Sequence, residues 1–272
     1  MLSEVSVAFG EVGLEINMSK THFSSTIASE GRIIVVGGEN VEWTPDVVFL
    51  GTVVTLSGND EAAIRARMCK VTSTFREWDS ILLNKWLPVE SRVAAYNTSV
   101  MASFCLQSQN WTHTSKQYAY MKSWAARHGF GMAFIRKSPV EPSDNWWRRL
   151  HRDSHKFMAA HSLLVVDAAK ERKYSFAGHL ARMDSGDVVN RILHARNLAW
   201  WRHVQRQHQS HGHRRGDQPH PKRFCAHARW ESSFEDFWGV HTAPDAADTV
   251  GWMLAAQDRA KWQQSCRKYI CN

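Results

Sequence analysis

The sequence predicts an α+β protein that is mostly α-helical, with a small antiparallel N-terminal sheet and helices from about residue 60 onward. Three observations carry that expectation. β-branched runs bounded by glycine occur only in the first 55 residues, as GRIIVVG (Gly31–Gly37) and VVFLGTVVT (Val47–Thr55). Beyond them, apolar residues recur at steps of three and four, the stripe of amphipathic helices. With 272 residues, 43% of them apolar, 13 Trp and 12 Phe, the chain holds enough bulk for one large core or two modest ones.

Taken in order, a short apolar helix Leu2–Phe9 runs into Gly13, a strand-like Leu14–Asn17 and a polar turn carrying Lys20. The two β-branched runs are joined by GENVEWTPD (Gly38–Asp46), whose turn formers predict a loop between two strands. Ile64, Met68, Val71, Phe75, Trp78 and Leu82 predict a helix capped by Asn59 or Asp60. Pro88 breaks the chain, and Val89, Val93, Tyr96, Val100 and Phe104 form the next stripe. A third helix carries Tyr118, Met121 and Trp124, with its end marked by His128-Gly129 and Gly131.

Pro139–Ser143 reads as a linker, followed by helices at Trp146–Met158 and Gly186–Gln207. The second of these has Val188, Ile192, Ala195 and Ala199 as its expected apolar face. HVQRQHQSHGHRRGDQPHPKRFCAHAR (His203–Arg229) lacks apolar periodicity and reads as a flexible connection. Trp230–Trp238 is a short packed segment. Trp252, Ala255, Arg259, Trp262, Cys266 and Tyr269 give a last helix with an aromatic face. These signals divide the chain into 1–57, 58–137, a basic helical region 138–207, a His/Arg-rich linker 208–228 and a C-terminal helical segment 229–272.

Several function classes drop out. No run of about 18 apolar residues exists, and no cationic, apolar, small-residue leader opens the chain. An intracellular protein of nucleus or cytoplasm, without a membrane partner, is therefore expected. Five scattered cysteines with no Cys-x-x-Cys pair suggest reduced, mostly buried thiols. His203, His208, His211, His213, His220, Cys225 and His227 are ligand types for zinc but lack the Cys-x-x-Cys half of a finger. Asp167 with Glu171-Arg172-Lys173 evokes a nuclease Asp, Glu-x-Lys set, although its acids sit too close in sequence for the hairpin that presents them. No phosphate loop or nucleophile elbow is present.

Charge is segregated. Residues 1–60 hold eight acids against two bases, whereas Arg136–Arg229 holds 19 Lys or Arg against 8 Asp or Glu, with Trp146, Trp147, Phe157, Phe176, Trp200 and Trp201 interleaved. RNA or DNA is the expected partner, since Lys and Arg neutralise phosphates and exposed aromatic rings stack on unpaired bases. Arg148, Arg149 and Arg152 beside Trp146-Trp147 are the candidate phosphate contacts, and His179 and Arg182 are further ones. His179 reads equally as a packed structural histidine.

The order of these elements resembles the C-terminal part of non-LTR (LINE-type) retrotransposon reverse transcriptases. GLEINMSKT (Gly13–Thr21) is similar to their fourth palm motif, a Gly-Leu-x-x-Asn-x-x-Lys-Thr string after a helix. VEWTPDVVFLGTVVT resembles their primer grip, centred on Phe49-Leu50-Gly51. KYSFAGHLARMD is similar to a Trp-x-Gly-His-x-x-Arg-Met signature through Gly178, His179, Arg182 and Met183, with Phe176 where Trp is usual. AQDRAKW is similar to an Asp-Arg-x-x-Trp string near such C termini.

The resemblance implies a palm remnant over 1–57, a thumb-like region over 58–137 and a connection after it. It places Lys20 near a departing pyrophosphate, with a plain surface lysine as the alternative. It sets Phe49, Leu50 and Gly51 against a primer terminus, with an ordinary hairpin around a core Phe and Leu as the alternative. Palm chemistry needs carboxylates for paired Mg²⁺ ions. In that family these belong to motifs before the one this sequence opens on, and no Asp-Asp pair occurs here. A catalytically silent, truncated piece with residual nucleic-acid binding, no catalytic or metal-binding residues and no cofactor of its own is the expectation. Its sheet edge would pair with a missing palm segment or with itself. The alternative is an active enzyme, completed by another chain or a longer reading frame, or a metal-dependent nuclease.

Overall fold

The computed structural model describes residues 2–24, 33–36, 39–49, 51–55, 60–112, 114–210, 229–238 and 251–271. It is an α+β chain dominated by helix, and it divides into two compact units, residues 1–70 and 71–272.

The first unit opens with α1 (Leu2–Glu11), which stops at Gly13, where φ is +76°. That left-handed conformation suits glycine and lets the Leu14 N–H reach back to the Phe9 carbonyl at 2.9 Å. Leu14–Asn17, expected as a strand, is irregular and has no ladder partner among the described residues. It leads into a 3-10 turn, Met18–Lys20, with Leu14 exposed. β propensity alone does not make a strand without a neighbour for its amides and carbonyls.

The sheet region also departs from expectation. It forms two antiparallel hairpins, β1 (Ile33–Val36) with β2 (Glu39–Glu42) and β3 (Asp46–Phe49) with β4 (Thr52–Thr55). The expected loop GENVEWTPD thus supplies β2, and the run Val47–Thr55 folds back on itself. Gly51 makes that possible, because its φ of +76° belongs to a tight turn that non-glycine residues take only with strain. Each run pairs with its immediate neighbour, which costs less loop-closure entropy than a long connection. Arg67 of α2 (Glu61–Glu77), 8% exposed, donates to the Gly51 carbonyl at 3.0 Å and so holds the turn.

Helix α2 continues into the second unit and buries Val71 there, as its stripe predicts. It breaks at Trp78, and α3 (Asp79–Leu82) follows as a single turn. α4 (Val89–Tyr96) passes through a π-helical turn, Asn97–Met101, into α5 (Ala102–Cys105). Thr98 and Ser99 hydroxyls donate to the Ala94 and Ala95 carbonyls there, a side-chain competition that accompanies a widened turn.

α6 (Ser115–Met132) begins at a capping box in which Thr114 and Gln117 exchange hydrogen bonds. It runs through Gly129 and ends at Met132, one residue past the expected mark at Gly131. Gly129 serves packing: a Cβ at that position would meet Met158 Cγ at 2.8 Å and the Ser154 carbonyl at 3.1 Å, so its absence lets α7 (Ser143–Ala160) lie close. Arg92, 6% exposed, donates to the Met132 carbonyl at 2.5 Å and closes the helix end.

The sequence pattern gave no separate stripe for α8 (Val165–Ala181), yet it is the central helix of the unit. Val165, Val166, Ala169, Tyr174, Ala177, Leu180 and Ala181 are all buried, over a wide arc that also holds Lys173, while Glu171, Arg172, Ser175 and His179 are exposed on the other side. α9 (Val188–Ser210) is also turned relative to expectation. Val188 and Ile192 are 65% and 62% exposed and Ala195 and Ala199 face solvent, while Asn190, Leu193, Asn197 and Trp201 are buried. The two asparagines are satisfied: Asn190 donates to the Leu180 and Met183 carbonyls and Asn197 to Leu193.

α10 (Ser232–Trp238), α11 (Gly251–Gln257) and α12 (Arg259–Cys271) complete the unit. The single last helix expected from Trp252 to Tyr269 is divided at Asp258, whose carboxylate accepts the Lys261 N–H at 3.0 Å as an N-cap. The core here is aromatic. Tyr174 stacks on Trp262 at 4.1 Å, and Phe234 packs against Trp252 at 5.1 Å and Tyr269 at 5.5 Å.

Candidate nucleic-acid interface

Helix α7 sorts its cations by helical phase. Leu150, Ser154 and Met158 point inward. Arg148, Arg152 and Lys156 form a row with a spacing of four on the outward side, and Trp147, His151 and His155 form a second row along the flank toward α6, all exposed. Eight residues of helix make each row about 12 Å long. Asp144 stands at the head of the arginine row, so the cationic character grows toward the C-terminal end.

Arg149 lies between these faces and is committed to structure. Its guanidinium donates to both Glu141 carboxylate oxygens at 2.9 and 2.7 Å and to the Arg136 carbonyl at 2.8 Å, with its Cζ 5.1 Å from the Trp146 ring. The hydrogen bond from Arg149 lowers the Glu141 pKa, and the same bond raises that of Arg149. The pair ties the segment before α7 to the helix. Arg148 and Arg152 therefore come together as predicted, and Arg149 turns away. Arg152 also touches Asp153 at 3.0 Å.

A cleft of about 550 Å³ runs between α6 and α7. Phe130, Trp146 and Leu150 form its apolar floor, and Arg127, Trp147 and His151 its rim. Trp146 meets Phe130 edge to face at 6.0 Å, which fixes the floor, whereas Trp147 is 57% exposed. The sequence reading named the tryptophan pair but missed Arg127, His151, His155 and Lys156. The spacing of four from Trp147 and Arg148 is the signal that finds the last three.

His179 is exposed on α8, which removes the packed-histidine alternative. Arg182 donates to the Ala256 carbonyl at 2.7 Å, capping the end of α11, and burial lowers its pKa. Beside it, Gln257 Nε2 donates to the Ala181 carbonyl at 2.7 Å. Gly178 faces Trp262 so closely that a Cβ would lie 2.4 Å from the indole Nε1, which itself donates to the Tyr174 carbonyl at 3.0 Å. The Gly-His-x-x-Arg-Met string thus docks against the Asp-Arg-x-x-Trp string, and both build the fold at this joint.

Lys20, Phe49 and Gly51 belong to the first unit, and Leu50 lies outside the described residues. Lys20 is exposed in its 3-10 turn, and Phe49 at the β3–β4 turn is 65% exposed, so the core-phenylalanine alternative falls. The nuclease set is not assembled. Asp167, Glu171 and Lys173 all lie on α8, and Lys173 is 2% exposed with its Nζ 5.4 Å from the Trp230 and Phe234 rings. Among the described residues no group of three or more His, Cys, Asp or Glu is placed to hold a metal ion. His211, His213, His220, Cys225 and His227 lie outside them, as does nearly all of the expected linker. No helix among the described residues is long and apolar enough to cross a membrane.

No family model matches the chain, and no solved structure matches it. Over all of its length it is similar, at 24% identity across 283 residues, to an uncharacterized transposon-derived protein of Caenorhabditis elegans, and it spans 89% of that protein. The likeness connects the chain with mobile elements.

Proposed function

We propose that this chain is the C-terminal part of a reverse-transcriptase-like protein of a non-LTR mobile element, and that it binds RNA or DNA through α7 without joining nucleotides itself. The observation that carries the binding is the exposed pair of rows on α7, where Arg148, Arg152 and Lys156 stand beside Trp147, His151 and His155. The order of the palm-like and Gly-His-x-x-Arg-Met strings supports the family reading, and so does the likeness to a transposon-derived protein. In this reading the N-terminal hairpins pair along a strand edge, with a palm segment or with a second copy of the chain.

Fluorescence anisotropy of a labelled single-stranded RNA, titrated at several salt concentrations, tests the binding. Affinity is expected to fall as salt rises, and Arg148→Ala with Arg152→Ala and Lys156→Ala is expected to flatten the log Kd against log[salt] line by about 2, near 0.7 per lost phosphate contact. Binding of unchanged slope in that triple variant, or no binding at low salt, would refute the assignment to α7. A primer-extension reaction with template RNA and Mg²⁺ tests the silence. Incorporation abolished by replacing an acid of this chain would overturn it.

A further inference from the structure

Resting on that nucleic-acid reading, we infer that the cleft between α6 and α7 receives one unpaired base, stacked on Trp147, which makes the site selective for single strands. The floor of Phe130, Trp146 and Leu150 is apolar and fixed by the Trp146–Phe130 contact, while the Trp147 ring stands 57% exposed beside it. An indole left in water at the lip of an apolar cleft is a stacking platform, since every nucleobase presents a π face. The volume of about 550 Å³ lies within the range of small-molecule pockets and has room for a base with its sugar.

The rim supplies the matching charge. Arg127 and His151 line the cleft, and Arg148 and Arg152 follow on the next row of α7, where they meet the phosphates on either side of an inserted base. Asp144 is the acid on this row, one turn before Arg148, and Asp153 pairs with Arg152 at 3.0 Å, so the strand would meet Arg148 and Lys156 directly and Arg152 in exchange for that exposed pair. A duplex offers its phosphates to the cations but keeps its bases stacked inside, so it gains nothing from the cleft. Two classes of contact on one helix therefore separate general affinity from strand preference.

The test compares a labelled oligouridylate with a blunt duplex of equal length, titrated with the full chain. Trp147→Ala is expected to weaken single-strand binding roughly 5- to 150-fold, the range seen when a stacking aromatic is removed, and to leave duplex binding unchanged. Trp147→Phe is expected to restore most of the loss. Arg148→Ala with Arg152→Ala lowers affinity for both probes. Trp147 is exposed, so its variants fold as the wild type does, which circular dichroism checks. If Trp147→Ala matches wild type on the single strand, or weakens both probes equally, the base pocket is overturned while the nucleic-acid reading stands. If the wild type binds neither probe, that reading falls first and takes the pocket with it.

Discussion

Replacing Gly178 with alanine tests whether the Gly-His-x-x-Arg-Met string folds the protein or touches a ligand. The new Cβ would lie 2.4 Å from Trp262 Nε1, 2.7 Å from Cδ1 and 3.0 Å from an Arg182 nitrogen, against 3.4–4 Å for ordinary contact. Trp262 is 2% exposed and stacked on Tyr174, so the indole has to move by about 1 Å within a packed core. Overpacking of this kind costs about 1–3 kcal/mol. The same movement strains the bond from Nε1 to the Tyr174 carbonyl, and leaving a buried donor unsatisfied costs about 1–3 kcal/mol more. Alanine returns about 1 kcal/mol of helix propensity, so a net loss of about 1–5 kcal/mol is expected.

Urea unfolding followed by circular dichroism reads that loss. Gly10→Ala is the control, because a Cβ there meets nothing within 4 Å and its helix should gain stability. Gly178→Ala as stable as wild type would refute the packing argument. Gly178→Ala that keeps its stability but loses nucleic-acid affinity would return the string to the binding surface.

Two further substitutions probe the second unit. His128 is 5% exposed, stacked on Phe75 at 3.9 Å and in hydrogen-bond contact with Tyr96 Oη at 3.2 Å. Burial lowers its pKa from 6.5 to about 3, so between those values the unfolded chain takes up a proton that the fold refuses. Stability is whole above pH 6.5 and declines as pH falls, by about 2 kcal/mol at about pH 5. His128→Phe should abolish that share of the decline, and an unchanged pH slope in its urea midpoints would contradict the assignment. Arg229 pairs with the 3%-exposed Glu235 and lies 4.2 Å over the Trp200 ring. Arg229→Ala strands a buried carboxylate and should cost about 3–5 kcal/mol in denaturant melts. Adding Glu235→Gln should recover part of that loss, and simple additivity of the two changes would deny the pairing.

How far the sequence discloses the structure depends on whether a residue faces one environment or several. The stripes of three and four on α2 and along α4, the π-helical turn and α5 locate Val71, Tyr96, Val100 and Phe104 correctly. α8 buries a wide arc, about half of its circumference, and Lys173 and Gly178 lie inside that arc, so no narrow apolar stripe stands out. α9 misleads for the opposite reason. Its buried side carries Asn190 and Asn197, hydrogen-bonded to neighbouring carbonyls, and its apolar side is left in solvent. On α7 the two exposed arginines were legible as a basic cluster. Separating Arg149 from them took the acceptor at Glu141, eight residues earlier and outside the helix. Gly178 and Trp262 were visible as motif residues, but 84 positions of chain separate them and only the fold brings them together.

The charge surplus of the basic region overstates what can meet a polyanion. Between Arg136 and Arg229 the sequence has 19 cations against 8 acids, an excess of 11. Many of those cations are already spoken for. Arg149 holds Glu141, Lys170 donates to the Ile270 carbonyl at 2.8 Å, Lys173 is buried under aromatic rings, and Arg182 caps α11. Arg196 pairs with Glu231 and Arg229 with Glu235. If all 11 excess charges met phosphates of a single strand, log Kd would change with log[salt] at a slope of about 8. Arg148, Arg152 and Lys156 alone give about 2, and Arg127 at the cleft raises this to about 3. A measured slope of about 2–3 would fit a site confined to α7 and its cleft. A slope near 8 would mean that the polyanion is gripped by surfaces well beyond that helix, and the assignment of the interface to α7 would fail.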